Sequence, residues 1–151
     1  MLFTLLLIIH VISVVLWIGG VAFVTMVMFP IIMRTAGSIE KAIMFQGVEH
    51  RFARLAKIYS ITAGITGLFL LYRMGMSFLL TGRGIGIWVM IVAWTTYVLI
   101  LFIFEPIIFK TLFSKDMDAS RVFFRLQVFH WFLLILSLIA VGAGIWTGHG
   151  P

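Results

Sequence analysis

Long stretches without charge dominate the pattern along this chain. Residues 2–33 hold no Asp, Glu, Lys or Arg, and further apolar stretches cover residues 58–72, 84–104 and 126–151. A helix needs roughly 20 residues to cross a hydrocarbon core about 30 Å thick. We therefore predict an all-α integral membrane four-helix bundle, a single domain over residues 1–151, with transmembrane helices over about residues 2–33, 52–74, 85–110 and 122–147.

Two helix boundaries need a closer argument. We expect the second helix to start near residue 52, with Arg54 and Lys57 reaching back to the membrane interface. Residues 39–48 look amphipathic and are compatible with a segment lying along the inner surface. The first stretch exceeds the length of a span, so we expect tilt, or a kink at Pro30.

The distribution of Lys and Arg predicts the orientation. Of the 11 Lys and Arg residues, only Arg73 and Arg83 lie between the second and third helices, and the others lie in or beside the first and third connections. Basic loops remain in the cytoplasm. We therefore predict a multi-pass protein of a bacterial inner membrane with both termini on the periplasmic side.

Composition excludes several classes of function. The chain is 63% hydrophobic and has no Cys, so disulfides, iron–sulfur clusters and thiolate sites are excluded. The net charge of +6 arises from cations at the ends of apolar stretches, which favours helix orientation over nucleic-acid binding. No phosphate-binding loop, zinc spacing or hydrolase nucleophile motif occurs.

Histidines inside apolar stretches are the strongest candidates for chemistry. His10 and His130 lie within the first and fourth predicted helices, where an ionisable ring is costly and usually functional. Rings on separate helices can hold a haem iron between them. One haem paired by His10 and His130 is an open alternative to two haems, paired by His50 with His130 and by His10 with His149.

Other residues suit a haem site. Trp17 falls on the same helix face as His10 and is expected to pack against the macrocycle. Arg73 on one side, and Arg51 or Arg54 on the other, are candidates for haem propionates or are simply interfacial anchors. Small residues such as Gly20, Gly64 and Gly67 either allow close helix packing or leave room for a macrocycle.

A carboxylate inside the third predicted helix is also unusual. Glu105 precedes Pro106 and lies one helical turn from Lys110. An intramembrane carboxylate is a functional candidate by default. It would carry a proton, fix the tautomer of His130, or pair with Lys110.

Methionines suggest copper as the alternative cofactor. Met74, Met76 and His149 are all expected at the periplasmic face of the inner membrane. Thioether and imidazole ligands suit Cu(I), although methionine is also a flexible filler of apolar cores.

The segment over residues 9–20 has the pattern of a His, six residues, a Trp and two glycines. Together with residues 49–55 leading into residues 62–71, it resembles the CopD-type copper-resistance membrane domain and the related HemJ-type haem-binding membrane proteins. The resemblance covers about half of the chain. It implies a four-helix membrane bundle associated with haem b, with His10 as the leading ligand.

These observations predict a haem b-binding membrane redox protein. It would transfer single electrons between a small donor and quinone or a partner protein, as a haem-dependent oxidoreductase that is porphyrinogen-oxidase-like in one version. A copper transport or resistance protein is the first alternative. A non-catalytic anchor subunit, whose histidines hold neighbouring helices, is the second. Lipid surrounds the bundle in each case, and assembly with a second copy or a partner subunit remains open.

Overall fold

The computed structural model describes residues 1–34, 37–104 and 119–149, whose backbone is almost entirely helical. These residues contain no strand, and their helices include four that are long and apolar enough to cross a membrane. The four are α1 (Leu2–Arg34), α2 (Ser38–Met74), α3 (Gly84–Leu99, continued by Ile100–Phe104) and α4 (Ala119–His149). The predicted all-α four-helix membrane bundle is confirmed.

Neighbouring helices run in opposite directions. α1 packs along α2, and α3 packs along α4. The first half of α4 also contacts the second half of α1. We call the end with residues 2, 74, 84 and 149 the terminal end, and the opposite end, with residues 34, 38, 104 and 119, the basic end.

The second helix is longer than predicted. It begins at Ser38 rather than near residue 52, so residues 39–48 are part of α2 and do not form a separate surface segment. Phe45 explains the difference, because its ring packs against Phe29 at 5.7 Å and against Phe123 at 5.5 Å between centroids. Burial of the Phe45 ring stabilises this N-terminal part of α2. The predicted end of the third helix at residue 110 lies outside the described residues.

A glycine ends α2. Gly75 has a φ of +94°, a conformation that side chains disfavour, and its N–H donates to the carbonyl of Leu71 at 3.0 Å. A short 3₁₀ helix over Met76–Leu80 follows and leads into α3. The turn holds the terminal ends of α2 and α3 together.

Two of the helices contain a π-helical segment. In α1 it covers Val24–Met28, directly before Pro30, and in α3 it covers Ile100–Phe104. Proline lacks an N–H and its ring crowds the carbonyl four residues earlier. A wider turn before Pro30 relieves that crowding, and the helix continues to Arg34.

Buried side chains form two clusters along the bundle. The first lies in the middle and includes Trp17, whose indole meets the ring of Tyr97 edge-on at 4.6 Å. The second lies nearer the basic end and centres on Phe29, Phe45 and Phe123. The two clusters meet near α4 residues 126–133, where the candidate chemistry is concentrated.

Candidate functional site

His10 joins α1 to α2. Its Nδ1 lies 3.0 Å from the backbone oxygen of Ala63 and 3.1 Å from Oγ1 of Thr66. Gly67 makes the approach possible, because a Cβ at that position would lie only 3.1 Å from Cε1 of His10. The ring is partly exposed at the side of the bundle.

These contacts fix the tautomer of His10. A carbonyl oxygen only accepts hydrogen bonds, so the proton must be on Nδ1. Thr66 already donates its own hydroxyl to the carbonyl of Thr62 at 2.7 Å, which leaves its oxygen free to accept from His10. Nε2 of His10 therefore carries a lone pair, and within the described residues no hydrogen bond reaches it. Histidines that bind metals have this arrangement, with the other ring nitrogen held by a carbonyl.

A backbone carbonyl also fixes the tautomer of His130, which lies deeper in the bundle. Its Nδ1 donates to the carbonyl of Leu126 at 2.9 Å, so Nε2 is again the acceptor. The ring is 8% exposed and packs against Phe29, with 4.8 Å between centroids. Unlike His10, it lies in the interior.

The two histidines lie at different levels along the bundle. The backbone oxygen of His130 is 3.5 Å from Oγ1 of Thr25. Thr25 follows His10 by 15 residues on the same helix, which is about 22 Å at about 1.5 Å per residue. One haem iron held by both His10 and His130 of one chain is therefore excluded by the geometry.

The remaining histidines do not complete a pair either. His50 is exposed, and its Nε2 accepts a hydrogen bond from Nη2 of Arg54 at 2.8 Å. It follows Glu49, which lines a cavity between the helices with His130, whereas His50 does not line that cavity. His149 is exposed at the terminal end of α4, and the described residues show no contact between it and His10.

The glycines of the first two helices leave space for side chains of neighbouring helices. A Cβ at Gly20 would overlap the ring of Phe52, and one at Gly64 would overlap the indole of Trp94. Trp94 in turn donates its Nε1–H to the carbonyl of Ser60 at 2.8 Å. Of the two interpretations of these glycines, close packing is the one that the structure shows.

A partly open cavity lies between all four helices, where the two apolar clusters meet. It offers about 50 Å³ to water-sized molecules. Polar or ionisable side chains on its wall come from each helix in turn: Trp17, Glu49, Tyr97 and His130. The hydroxyl of Tyr97 is engaged, since it donates to the carbonyl of Leu133 at 2.6 Å.

Sequence reasoning found only part of this site. His130 and Trp17 were candidates, but Trp17 packs against Tyr97 within the core. The sequence singles out Glu49 only through the resemblance of residues 49–55, and its pattern does not single out Tyr97. Glu49 lies in the part of α2 that precedes residue 52, and it is buried there. The predicted helix starts too late to include this residue, so the sequence does not indicate that it is buried.

The other sequence candidates lie at the two ends. Arg51 and Arg73 are exposed, as are Met74 and Met76 at the terminal end. Glu105 lies outside the described residues. Over residues 1–34, 37–104 and 119–149 there is no group of three or more His, Asp or Glu placed to hold a metal ion.

Comparison with known proteins returned no match to this chain, whether against family models, curated proteins or solved structures.

Proposed function

We propose that this chain is a membrane redox protein that binds haem b through His10 and passes single electrons between a small donor and quinone or a partner protein. One observation carries the proposal. The Nδ1–H of His10 is held by the carbonyl of Ala63, and its Nε2 keeps a lone pair at the side of the bundle. A neutral imidazole held in this way is a ready axial ligand for haem iron.

The interior of the bundle does not fit a haem. The cavity of about 50 Å³ between the described helices is far smaller than a macrocycle, and the space at Gly20 and Gly64 is already taken by the rings of Phe52 and Trp94. A haem on His10 therefore belongs at the lipid-facing side, where this ring is partly exposed. When bound, the haem supplies the one-electron chemistry, while the chain supplies the ligand and its orientation.

The resemblance of residues 9–20 to the CopD-type and HemJ-type proteins supports the same proposal. His10 and Trp17 are the positions that carry it. On this basis the protein is a haem-dependent oxidoreductase of an inner membrane, with porphyrinogen among its candidate donors.

Haem content of purified variants tests the proposal. In the wild-type protein we expect b-type bands in the reduced-minus-oxidised absorption spectrum, quantified as pyridine haemochrome. His10→Ala should lose them, because the ligand is gone. His50→Ala is the matched control and should keep them, since that ring is engaged by Arg54 on the surface.

Two results would contradict the proposal. One is a wild-type protein that stays colourless although haem is supplied during expression. The other is a folded His10→Ala variant with unchanged haem content, judged folded by its elution from size-exclusion chromatography.

The anchor-subunit alternative draws on the same contact. His10 bonds to α2 through Ala63 and Thr66, as a histidine with a purely structural role would. This alternative predicts a colourless protein that co-purifies with a partner subunit. The copper alternative relies on Met74, Met76 and His149, which share the terminal end and are exposed. Metal analysis of a haem-free preparation separates the two.

A further inference from the structure

The cavity between the four helices brings together two ionisable groups that the haem proposal does not use. His130 comes from α4 and Glu49 from α2, and both line the same space of about 50 Å³. Both residues are buried, with 8% and 9% of their surfaces exposed. A buried carboxylate and a buried imidazole facing one cavity are costly, and such groups mark functional sites.

The hydrogen-bonding capacity of the wall indicates what the cavity holds. His130 presents Nε2 as an acceptor, because its proton is on Nδ1 toward Leu126. Oε2 of Glu49 is buried and receives no hydrogen bond within the described residues, and a carboxylate oxygen is an acceptor when ionised. Two acceptors that face one space are best satisfied by a molecule that donates, or by a proton.

The size of the cavity selects the donor. A water needs roughly 10–15 Å³ of such space and two to four polar partners. About 50 Å³ therefore suits a few waters. The chemical class of the ligand is water that carries protons.

The π-helical segments give an independent reason to regard this place as functional. Ile100 and Leu101, from the π-helical segment of α3, line the cavity. Thr25, from that of α1, lies against the backbone of His130. Such segments are rare and often occur at functional sites, because the extra residue redirects side chains.

We propose that this cavity is a proton-binding site in which Glu49 and His130 share one proton through water. The proton leaves a hydronium ion for Nε2 of His130, which becomes an imidazolium and releases neutral water. It then passes through water to the carboxylate of Glu49, which becomes a neutral acid while His130 regains its lone pair. Only N–H and O–H bonds form and break, and no electron moves. The proposal does not depend on haem at His10.

Other titratable groups near His130 are few among the described residues. Tyr97 faces the cavity from α3, with its hydroxyl held by Leu133. From α1 the neighbours are Thr25 and Phe29, neither of which titrates. Glu49 is therefore the group expected to couple to His130.

Solid-state NMR of ¹⁵N-histidine protein in lipid bilayers tests the site, with His130→Gln used to assign its ring signals. Transfer of magnetisation from water should reach the ring of His130 in the wild-type protein. A ring that receives none would show a dry cavity and overturn the proposal, whatever the haem content.

A titration then tests the shared proton. Glu49→Gln removes the charge that stabilises the imidazolium. Half-protonation of His130 should therefore need a proton concentration about tenfold higher than in the wild type. Glu40→Gln, an exposed carboxylate on the same helix, should leave the titration unchanged. Equal titration in all three proteins would overturn the proposal. If Glu49→Gln does not fold, the water transfer in the wild type decides.

Discussion

At the scale of single residues, backbone carbonyls decide the chemistry of His10 and His130. Ala63 accepts from His10 across two helices, and Leu126 accepts from His130 within one helix. In each case the carbonyl consumes the Nδ1 proton and leaves Nε2 as an acceptor. The consequences differ with location. Nε2 of His10 belongs to a ring at the side of the bundle, whereas the ring of His130 borders the cavity with Glu49.

Tyr97 offers a test of the polar contacts inside the bundle. Tyr97→Phe removes the hydroxyl that bonds to Leu133 and approaches Ser137. Ser137 still donates to the same carbonyl at 2.7 Å, so no acceptor is left unsatisfied. We expect a loss of about 1 kcal/mol in the free energy of unfolding, and a melting temperature about 2–4 °C lower in detergent.

Tyr72→Phe is the control for that measurement. Tyr72 is 72% exposed, so its substitution should leave the melting temperature unchanged. Equal effects of the two substitutions would show that the hydroxyl of Tyr97 does not stabilise the fold.

At the scale of helices, close packing depends on a few glycines. Gly20 and Gly64 receive aromatic rings from neighbouring helices, and Gly67 receives His10. α3 and α4 meet differently, because a Cβ at Gly86 would overlap the backbone oxygen of Ala143 and Oγ1 of Thr147. Backbone in a helix cannot turn aside as a flexible side chain can, so this contact is the least tolerant of added volume.

Gly86→Ala should therefore separate α3 from α4. We expect a destabilisation of about 1–3 kcal/mol, the usual cost of overpacking, measured as thermal unfolding in detergent. Gly142→Ala on α4 is the matched control, since a Cβ there meets no atom within 4 Å. A Gly86→Ala variant as stable as Gly142→Ala would contradict this account of the interface.

At the scale of the whole molecule, the bundle is longer than a membrane is thick. α2 has 37 residues, which is about 55 Å at about 1.5 Å per residue, against a hydrocarbon core of about 30 Å. Six of the seven charged residues of α2 lie within residues 40–57 and the seventh, Arg73, lies in its last turn, so residues 58–72 between them carry no charge. We infer that the basic end projects beyond the hydrocarbon, where Phe29, Phe45 and Phe123 hold it together.

Cysteine labelling tests this placement. The chain has no Cys of its own, so only the introduced residue can react. Ile43→Cys, at a position 64% exposed, should react with a membrane-impermeant maleimide. Ile65→Cys, at a position 53% exposed within residues 58–72, should not, because lipid covers it. Equal reactivity at both positions would disprove the projection.

The same variants report orientation. The cytoplasmic basic end that the sequence predicts requires Ile43→Cys to react only after the cells are permeabilised. Reaction in intact spheroplasts would reverse the orientation.

The sequence alone determined the number and approximate course of the membrane helices. Hydropathy is a local property that adds along the chain, and the bilayer sets the length that it must reach. The same local reasoning singled out His10, because an ionisable ring within residues 2–33 is visible without any partner. It missed the start of α2, since the burial of Phe45 that extends the helix depends on rings far away in the chain.

Only the tertiary structure decided which of these residues meet. It placed His10 against Ala63 and Thr66, placed Glu49 and His130 on the wall of one cavity, and separated the two histidines along the bundle. The rotation and register of each helix determine these contacts, and they are set where aromatic rings fit against glycines on neighbouring helices. Such fits join residues distant in sequence, so the local pattern of hydrophobic and polar positions does not contain them.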